Sequence, residues 1–338
     1  MKKKTIKIGF RYFWPGFNPE KNFFTDLLRK NYQIIISDNP DYVFYCVYPE
    51  LKEVKDISKQ GELIKKISPS LYILARKLYS NLQKIRGKHK IPPLKGNFVK
   101  IFYGAEHTKP NMHECDWAFG SHFEEEINNP KYMRLLPYLP NDYILPNLGN
   151  PLIKKNINFK KIKKEKTKFC NFIYSQDISS RNNFFKELSK YKKIDAPGRC
   201  MNNMPPIGSD NPKKSRLSEN WVKEKLRFIK PYKFTIAFEN KPESGWVTEK
   251  LTHPMLVNSI PIYFGHKDIS KDFNTKSFIN YNDFKNMKEL IQHIIKVDND
   301  EKLYNEYIKQ PFYPGNKYTK DIHPNFSRFL KRFKEIFG

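Results

Sequence analysis

The sequence predicts an α/β protein of two domains, each built on an open sheet. Its 338 residues suffice for two domains of roughly 150 residues each. Short apolar runs alternate with helix-period segments in both halves, the rhythm of strands joined through helices. Between the halves, Pro137, Pro140, Pro146 and Pro151 punctuate the chain, and a lysine run at 160–168 precedes a fresh strand. These breakers place a domain boundary at about 150–165.

The first half opens with a strand at 5–10 (TIKIGF), followed by the turn residues Trp14-Pro15-Gly16. Residues 20–30 carry apolar positions 23, 24, 27 and 28, which is helical spacing. Strands are expected at 33–36 (QIII), 42–47 (YVFYCV), 98–103 (FVKIFY), 116–119 (DWAF) and 132–136 (YMRLL). The stretch 51–95 is a lysine-rich insertion. Within it, Leu71, Leu74, Leu78, Leu82 and Ile85 share one helical face, suited either to packing on its own domain or to a membrane or acceptor surface.

The second half repeats the pattern with a strand at 169–174 (FCNFIY), a helix at 181–190 and a short strand at 192–195 before Pro197-Gly198-Arg199. Strand 233–238 (KFTIAF), helix 248–257 and strand 260–264 (IPIYF) form a compact βαβ unit, and 287–296 and 300–309 read as helices. The chain ends in a basic amphipathic helix at 326–337. Phe326, Phe329, Leu330, Phe333, Ile336 and Phe337 lie on one face, with Arg328, Lys331, Arg332 and Lys334 on the other. Docking onto the body and lying on an anionic membrane are the two roles open to such a helix.

Composition narrows the function classes. Sixty-two Lys and Arg against 35 Asp and Glu give a net charge of +27, which attracts nucleic acid, an anionic membrane or a phosphorylated substrate without choosing among them. Apolar residues at 39% and aromatics at 15% argue for buried cores and against a disordered polymer. Cys46, Cys115, Cys170 and Cys200 form no C-x-x-C and have no His at zinc-ligand spacing, so a reducing compartment and no structural metal are expected. The start Met1-Lys2-Lys3-Lys4 leads into a strand and not a signal core, and no stretch reaches ~18 consecutive apolar residues, so a cytoplasmic location is expected.

The most informative stretch is KFTIAFENKPESGWVTEKL, residues 233–251. A buried strand stops at Glu239-Asn240, a loop holds Gly245, and a helix opens at Thr248-Glu249-Lys250. In parallel sheets, ligands bind beyond the carboxyl ends of strands, close to helix N-termini. Glu249 suits a ribose diol, Lys250 a phosphate, and Trp246 offers a flat face and one N–H donor. The same residues equally suit a plain helix start, with Thr248 as cap, Glu249 favoured by the helix dipole and Lys250 solvated. Neither G-x-G-x-x-G nor G-x-x-x-x-G-K-[ST] occurs, which weakens dehydrogenase and P-loop readings.

YKFTIAFENKPESGWVTEKL together with NSIPIYFG resembles the signature of the α-1,3/1,4-fucosyltransferases, glycosyltransferase family 10. FWPGF, NPDYVFY, IFYGAE, DWAFG, YMRLLPYL, FIYSQDISSRNNFFKEL and DFNTKSFIN are similar to pieces of its bacterial members. The likeness covers roughly 5–50 and 98–285 and is poor over 51–95 and after about 290. It implies a GT-B fold, two Rossmann-like domains facing across a cleft. On that frame residues 1–158 form the acceptor-side domain, 159–310 the GDP-sugar-binding domain and 311–338 a basic tail.

The resemblance implies transfer of L-fucose from GDP-fucose, with inversion, to a hydroxyl of GlcNAc or a similar sugar. The acceptor would be an oligosaccharide or glycolipid of a surface glycan such as lipopolysaccharide, with an α-1,3 linkage. Glu106 in GAEH matches the catalytic base, and Arg181 in SSRNNFF matches the arginine that grips the donor phosphates, joined by Lys250. Asn240 and Glu249 match donor contacts, with Trp246 and Thr248 beside them. Ser175 and Arg199, at neighbouring strand ends, are added to the donor set. The chain departs from the pattern in carrying Trp246 for Tyr, His107 for Asn, and Pro254 inside the helix after Lys250, where it should kink or end that helix. No D-x-D triad sits in a donor loop, so neither metal nor cofactor is expected; two cations can serve the diphosphate. Another GDP-sugar donor is the alternative. A nucleic-acid-binding protein is the other class, and no helix-turn-helix, RRM or zinc-finger marks support it.

Overall fold

The computed structural model describes residues 3–14, 16–48, 94–139, 152–154, 157–207, 219–318 and 326–338. The helix expected at 71–85, and nearly all of the lysine-rich insertion, lie outside the described residues. The chain divides into two compact units, Met1–Gly120 with Glu124–Met133 and Arg332–Gly338, and Ser121–Phe123 with Arg134–Lys331.

The first unit holds β1 (Thr5–Arg11), α1 (Phe23–Leu28), β2 (Gln33–Ile36), β3 (Tyr42–Tyr45), β4 (Val99–Tyr103), β5 (Trp117–Gly120), α2 (Glu124–Ile127) and the start of β6 (Tyr132–Arg134). The strand order is β2-β1-β3-β4-β5-β6. The ladders from β2 through β5 are parallel. Helix α1 starts because the Asn22 side chain accepts hydrogen bonds from the Phe24 and Thr25 amides. Its apolar residues at i, i+3 and i+4 turn inward, and Phe24 packs on Phe44, Tyr103 and Phe119.

The second unit holds α3 (Phe159–Glu165), β7 (Lys168–Asn171), α4 (Ser179–Ser189), β8 (Ile194–Asp195), α5 (Glu219–Ile229), β9 (Tyr232–Phe238), α6 (Glu249–Leu256), β10 (Ile260–Phe264), β11 (Ile279–Asn280), α7 (Met287–Asn299) and α8 (Glu301–Lys309). Its strands run in the order β11-β10-β9-β7-β8, all parallel. Alternation along β9 feeds two cores. Phe234, Ile236 and Phe238 join one cluster with Phe172, Phe184 and Ile294, whereas Ala237 joins another with Leu251 and Phe273. Both sheets have the 2-1-3-4-5 order of doubly wound folds, so each has a switch point, at β1/β3 and at β7/β9.

Three sequence expectations shift. The division between units falls earlier than the proline and lysine punctuation suggests, because Leu136, Tyr138 and Leu152 pack in a core cluster of the second unit. The lysine run forms helix α3, capped by Asn158, whose side chain accepts from the Lys161 amide. Helix α6 continues past Pro254 to Leu256 and ends there, with the Pro254 carbonyl accepting from Val257 and Ser259 amides.

The last helix, α9 (Ser327–Phe337), forms as the period predicts, and its apolar face is buried. Phe333 meets Phe119, and Phe337 lies 4.6 Å from Tyr42 and 5.9 Å from Tyr32, ring centre to ring centre. Of the two roles open to it, docking is the one observed. Phe312 and Tyr313, expected in a tail, are core residues of the second unit.

Candidate functional site

The carboxyl ends of β7 and β9 bracket the switch point of the second sheet, and the predicted donor residues gather there. Just beyond β7, the Tyr174 hydroxyl hydrogen-bonds the carbonyls of Ile236 and Phe238 and accepts from the Phe238 amide, tying the two strand exits together. Arg181, in the first turn of α4, lies over the Tyr174 ring with Cζ 3.7 Å from its centroid, and is 1% exposed. Its guanidinium donates to the Gln176 carbonyl at 2.8 Å, to Asn240 Oδ1 at 3.2 Å and to the Phe238 carbonyl at 3.4 Å, while Nε has no partner. Among the described residues no carboxylate forms an ion pair with it. Burial lowers its pKa, opposed by Tyr174, Cys200 and Glu239. A buried cation held by neutral acceptors is set up for an incoming anion.

Glu239 explains why the strand ends in a carboxylate. It is 3% exposed and acts as a hub. The Thr248 amide donates to Oε1 at 2.8 Å, the Thr248 hydroxyl lies 2.9 Å from both oxygens, and Lys250 Nζ lies 3.2 Å from Oε2. Thr248 is also the N-cap of α6. Burial raises the Glu239 pKa against the pull of Lys250. Lys250 is held above its ordinary value because Glu239 and Glu249 outweigh burial. Glu249 is pulled down to about 2, since Lys250, Lys225 and His253 overcome its burial; Lys225 Nζ stands 3.9 Å from it. Among the described residues Glu239 and Glu249 stand against Lys250 and Lys225, and Arg181 has no ion pair of its own.

The loop before α6 is bolted from below. Gly245 has φ +65°, and a Cβ there would lie 2.1 Å from the Ser121 carbonyl oxygen, so glycine is required on both counts. Arg134 donates to that Ser121 oxygen at 2.9 Å and to the Gly245 carbonyl at 3.1 Å, while pairing bidentately with Asp272 at 2.6 and 2.7 Å. Trp246, next in the chain, is buried and not offered openly to solvent. Ser175 is half-buried directly after Tyr174. Arg199 is exposed on the next loop, which lies close because a Cβ on Gly198 would sit 2.2 Å from the Tyr174 carbonyl oxygen.

Glu106 belongs to the first unit and follows β4. It is half-buried, and the Tyr48 hydroxyl donates to its Oε1 at 2.5 Å. Burial, then this bond, drives the Tyr48 pKa up. Among the described residues no group of three His, Cys, Asp or Glu is placed to hold a metal ion, and no helix is long and apolar enough to cross a membrane. All four cysteines are buried free thiols.

Residues 162–317 match the C-terminal domain of glycosyltransferase family 10 (fucosyltransferase), and residues 8–59 match the N-terminal domain of the alpha-(1,3)-fucosyltransferase FucT. The chain belongs to glycosyltransferase family 10.

Within family 10, the chain is 37% identical over 174 residues to an Acanthamoeba polyphaga mimivirus protein named as a fucosyltransferase, covering 52% of this chain and 27% of that one. It is 30% identical over 224 residues to the alpha-(1,3)-fucosyltransferase FucT of Helicobacter pylori, covering 59% and 44%. The matches thus span less than half the length of these relatives. A crystal structure of an alpha1,3-fucosyltransferase with GDP-fucose superposes with a TM-score of 0.68 at 22% identity, covering 99% of this chain and 91% of that one. That likeness shows the fold: α/β with two parallel sheets, the Rossmann-like pair of GT-B proteins.

Sequence reasoning passed over Tyr174, Lys225 and Tyr48. In the sequence Glu239 shows only as a strand end; a carboxylate closing an apolar strand is the signal for a hub. Tyr174 and Tyr48 carried the same kind of signal, a polar tip closing an apolar run. Nothing in the sequence pairs Lys225 with Glu249, because α5 is distant in the chain.

Proposed function

We propose that this family 10 chain transfers L-fucose from GDP-fucose to a hydroxyl of an N-acetylglucosamine-type acceptor, with inversion and in α-1,3 linkage. The acceptor hydroxyl attacks the anomeric carbon, Glu106 takes its proton, and the bond to the diphosphate breaks with GDP leaving on the electron pair. GDP gains negative charge as it leaves. Arg181, always cationic, and Lys250, kept protonated by Glu239 and Glu249, stabilise that charge. Glu249 is assigned to the ribose, with Asn240 holding Arg181 in place. The observation that carries the proposal is Arg181: a buried guanidinium over the Tyr174 ring at a switch point, with no carboxylate in ion-pair contact among the described residues.

The test is a donor screen on the full chain, reading GDP release over several GDP-sugars with N-acetyllactosamine as acceptor, then the product linkage by NMR. Release from GDP-fucose is expected; silence with every GDP-sugar refutes the transferase reading. A second reading keeps the chemistry and changes the donor sugar, favoured by Trp246 at the position where related bacterial enzymes carry Tyr. Release from a different GDP-sugar alone would select it. Tight GDP binding with weak duplex binding separates both from a nucleic-acid-binding role.

The proposed setting is cytoplasmic, at the inner face of a membrane where glycans such as lipopolysaccharide are assembled, with neither metal nor cofactor. The net charge of +27 supports attraction to anionic lipid. The apolar face of α9 is buried, so attachment through α9 falls to its exposed basic residues and is expected to fade within a few hundred millimolar salt. Flotation with anionic vesicles across a salt series checks this.

A further inference from the structure

The loop from Glu239 to Lys250 is fixed at two separate places. At its helix end, Thr248 closes onto Glu239 through both its amide and its hydroxyl. The chain is exposed at Lys241 and Pro242 and buried from Gly245 to Thr248, so it enters the body of the protein at Gly245. There the backbone is left-handed, and Arg134 donates to the Gly245 carbonyl at 3.1 Å. Arg134 closes β6 and is 2% exposed. Its guanidinium also holds the Ser121 carbonyl and both Asp272 oxygens, and its Cζ lies 4.1 Å from the centre of the Phe123 ring. Bonds along the edges of so flat a group, with a ring against it, leave it little freedom to move. Asp272 follows the short turn Ile269–Lys271 and precedes Phe273. Ile269 and Phe273 share a core cluster with Val247 and Leu251, so the anchor and the anchored segment belong to one packed body.

From this geometry we infer that Arg134, held by Asp272, is a positioning residue for donor binding. By fixing the Gly245 carbonyl it sets where Thr248, Glu249 and Lys250 stand. The inference rests on the transferase reading for the identity of the ligand as GDP-fucose. Stability alone is a poor account of the pair, because the desolvation of two buried charges offsets most of their attraction. It is also a poor account of the Gly245 bond, which ties the pair to the loop and not to a strand or helix. Arg134 and Arg181 divide the work. Arg181 has no ion pair among the described residues and is the guanidinium an incoming diphosphate meets. The charge of Arg134 is taken by Asp272, so it acts on the ligand through the backbone of the loop. Without the tether, Thr248 still closes onto Glu239, yet the segment between is free to shift. A displacement of about 1 Å away from the chemistry is enough to cost on the order of a hundredfold in rate.

The experiment separates position from stability with three variants of the full chain: Arg134→Met, Arg134→Lys, and Arg134→Met combined with Asp272→Leu. Urea denaturation, calorimetric titration of GDP and amide hydrogen exchange are read on each. Arg134→Met leaves Asp272 buried and unpaired and should be the least stable. The double variant replaces both charges by apolar side chains and should regain much of the lost stability. Its GDP affinity should nevertheless stay roughly tenfold or more below that of the wild type, because the Gly245 carbonyl has no donor. Arg134→Lys keeps a charge for Asp272 and cannot span three partners, so it should also bind GDP weakly. Amides of residues 244–248 should exchange faster in the double variant while those of β9 stay protected. GDP affinity that follows the urea midpoint across the three variants would make Arg134 a structural residue and overturn the inference. Unchanged protection of 244–248 in the double variant would do the same. Loosening of 244–248 in a chain whose wild type binds no GDP would support the tether and sink only the donor reading.

Discussion

At its switch point the first sheet gathers, among the described residues, indole, phenyl and phenol rings beside the half-exposed carboxylate of Glu106. At the equivalent place the second sheet gathers the charged side chains Glu239, Lys250, Glu249, Lys225 and Arg181, with Glu239 and Arg181 fully buried. The two units share a strand order and differ in what their strand ends carry. Topology thus fixed where the strand exits gather, and side chains fixed which chemistry gathers there. Charges in a buried network must be paired to be tolerable, so the second site is dense with hydrogen bonds. Aromatic rings carry no charge that needs pairing, so the first switch point holds Glu106 on one phenol hydrogen bond.

The sharpest break between the two sites is Glu106→Gln. Transfer should fall by roughly 10²–10⁴, the usual range for a general base, while calorimetry shows GDP affinity unchanged; loss of GDP affinity would merge the two sites. Next comes Glu239→Ala. Removing one partner of a buried pair should cost about 3–5 kcal/mol, read by urea denaturation, and should weaken GDP binding with it. Phe333→Ala should cost a similar ~3–5 kcal/mol through a core cavity, with no effect on GDP binding by the chain that stays folded. Arg181→Lys should weaken GDP binding about 10- to 100-fold, since the flat, multiply bonded guanidinium is lost and a charge kept.

The smallest effect concerns pH. His266 is buried near the Arg134–Asp272 pair, and burial lowers its pKa from 6.5 to about 4. The unfolded chain therefore binds this proton at higher pH than the folded one. The His266 contribution is full above about pH 6.5 and is lost as the pH falls toward 4, by up to about 3 kcal/mol. His266→Phe should flatten the acid side of a stability–pH profile; an unchanged slope would show that other groups govern it.

Much of this was legible in the residues themselves. Period-2 and 3.6-period patterns place most of the strands and helices within a few residues, because burial of one face is a local demand; the two-residue strand β11 is too short to show a period. The stretch 233–251 announced a strand end facing a helix start, and Thr248 proved to be a cap as its type predicts. Helices α2 and α5 have no counterpart in the sequence reading, where α3 is only a lysine run marking the domain boundary. Its one buried residue, Ile162, gives too thin an apolar stripe to show in sequence.

The sequence by itself determined the fold class, the family and which loop would carry the charged residues, since these follow from local patterning and a long specific motif. Only the tertiary structure decided who partners whom. It gave Lys250 to Glu239, seated Arg181 over the Tyr174 ring, drew Tyr48 onto Glu106 across 58 residues, and turned the face of α9 inward. Such choices depend on which chain segments meet in space, and at that range sequence spacing carries no distance information.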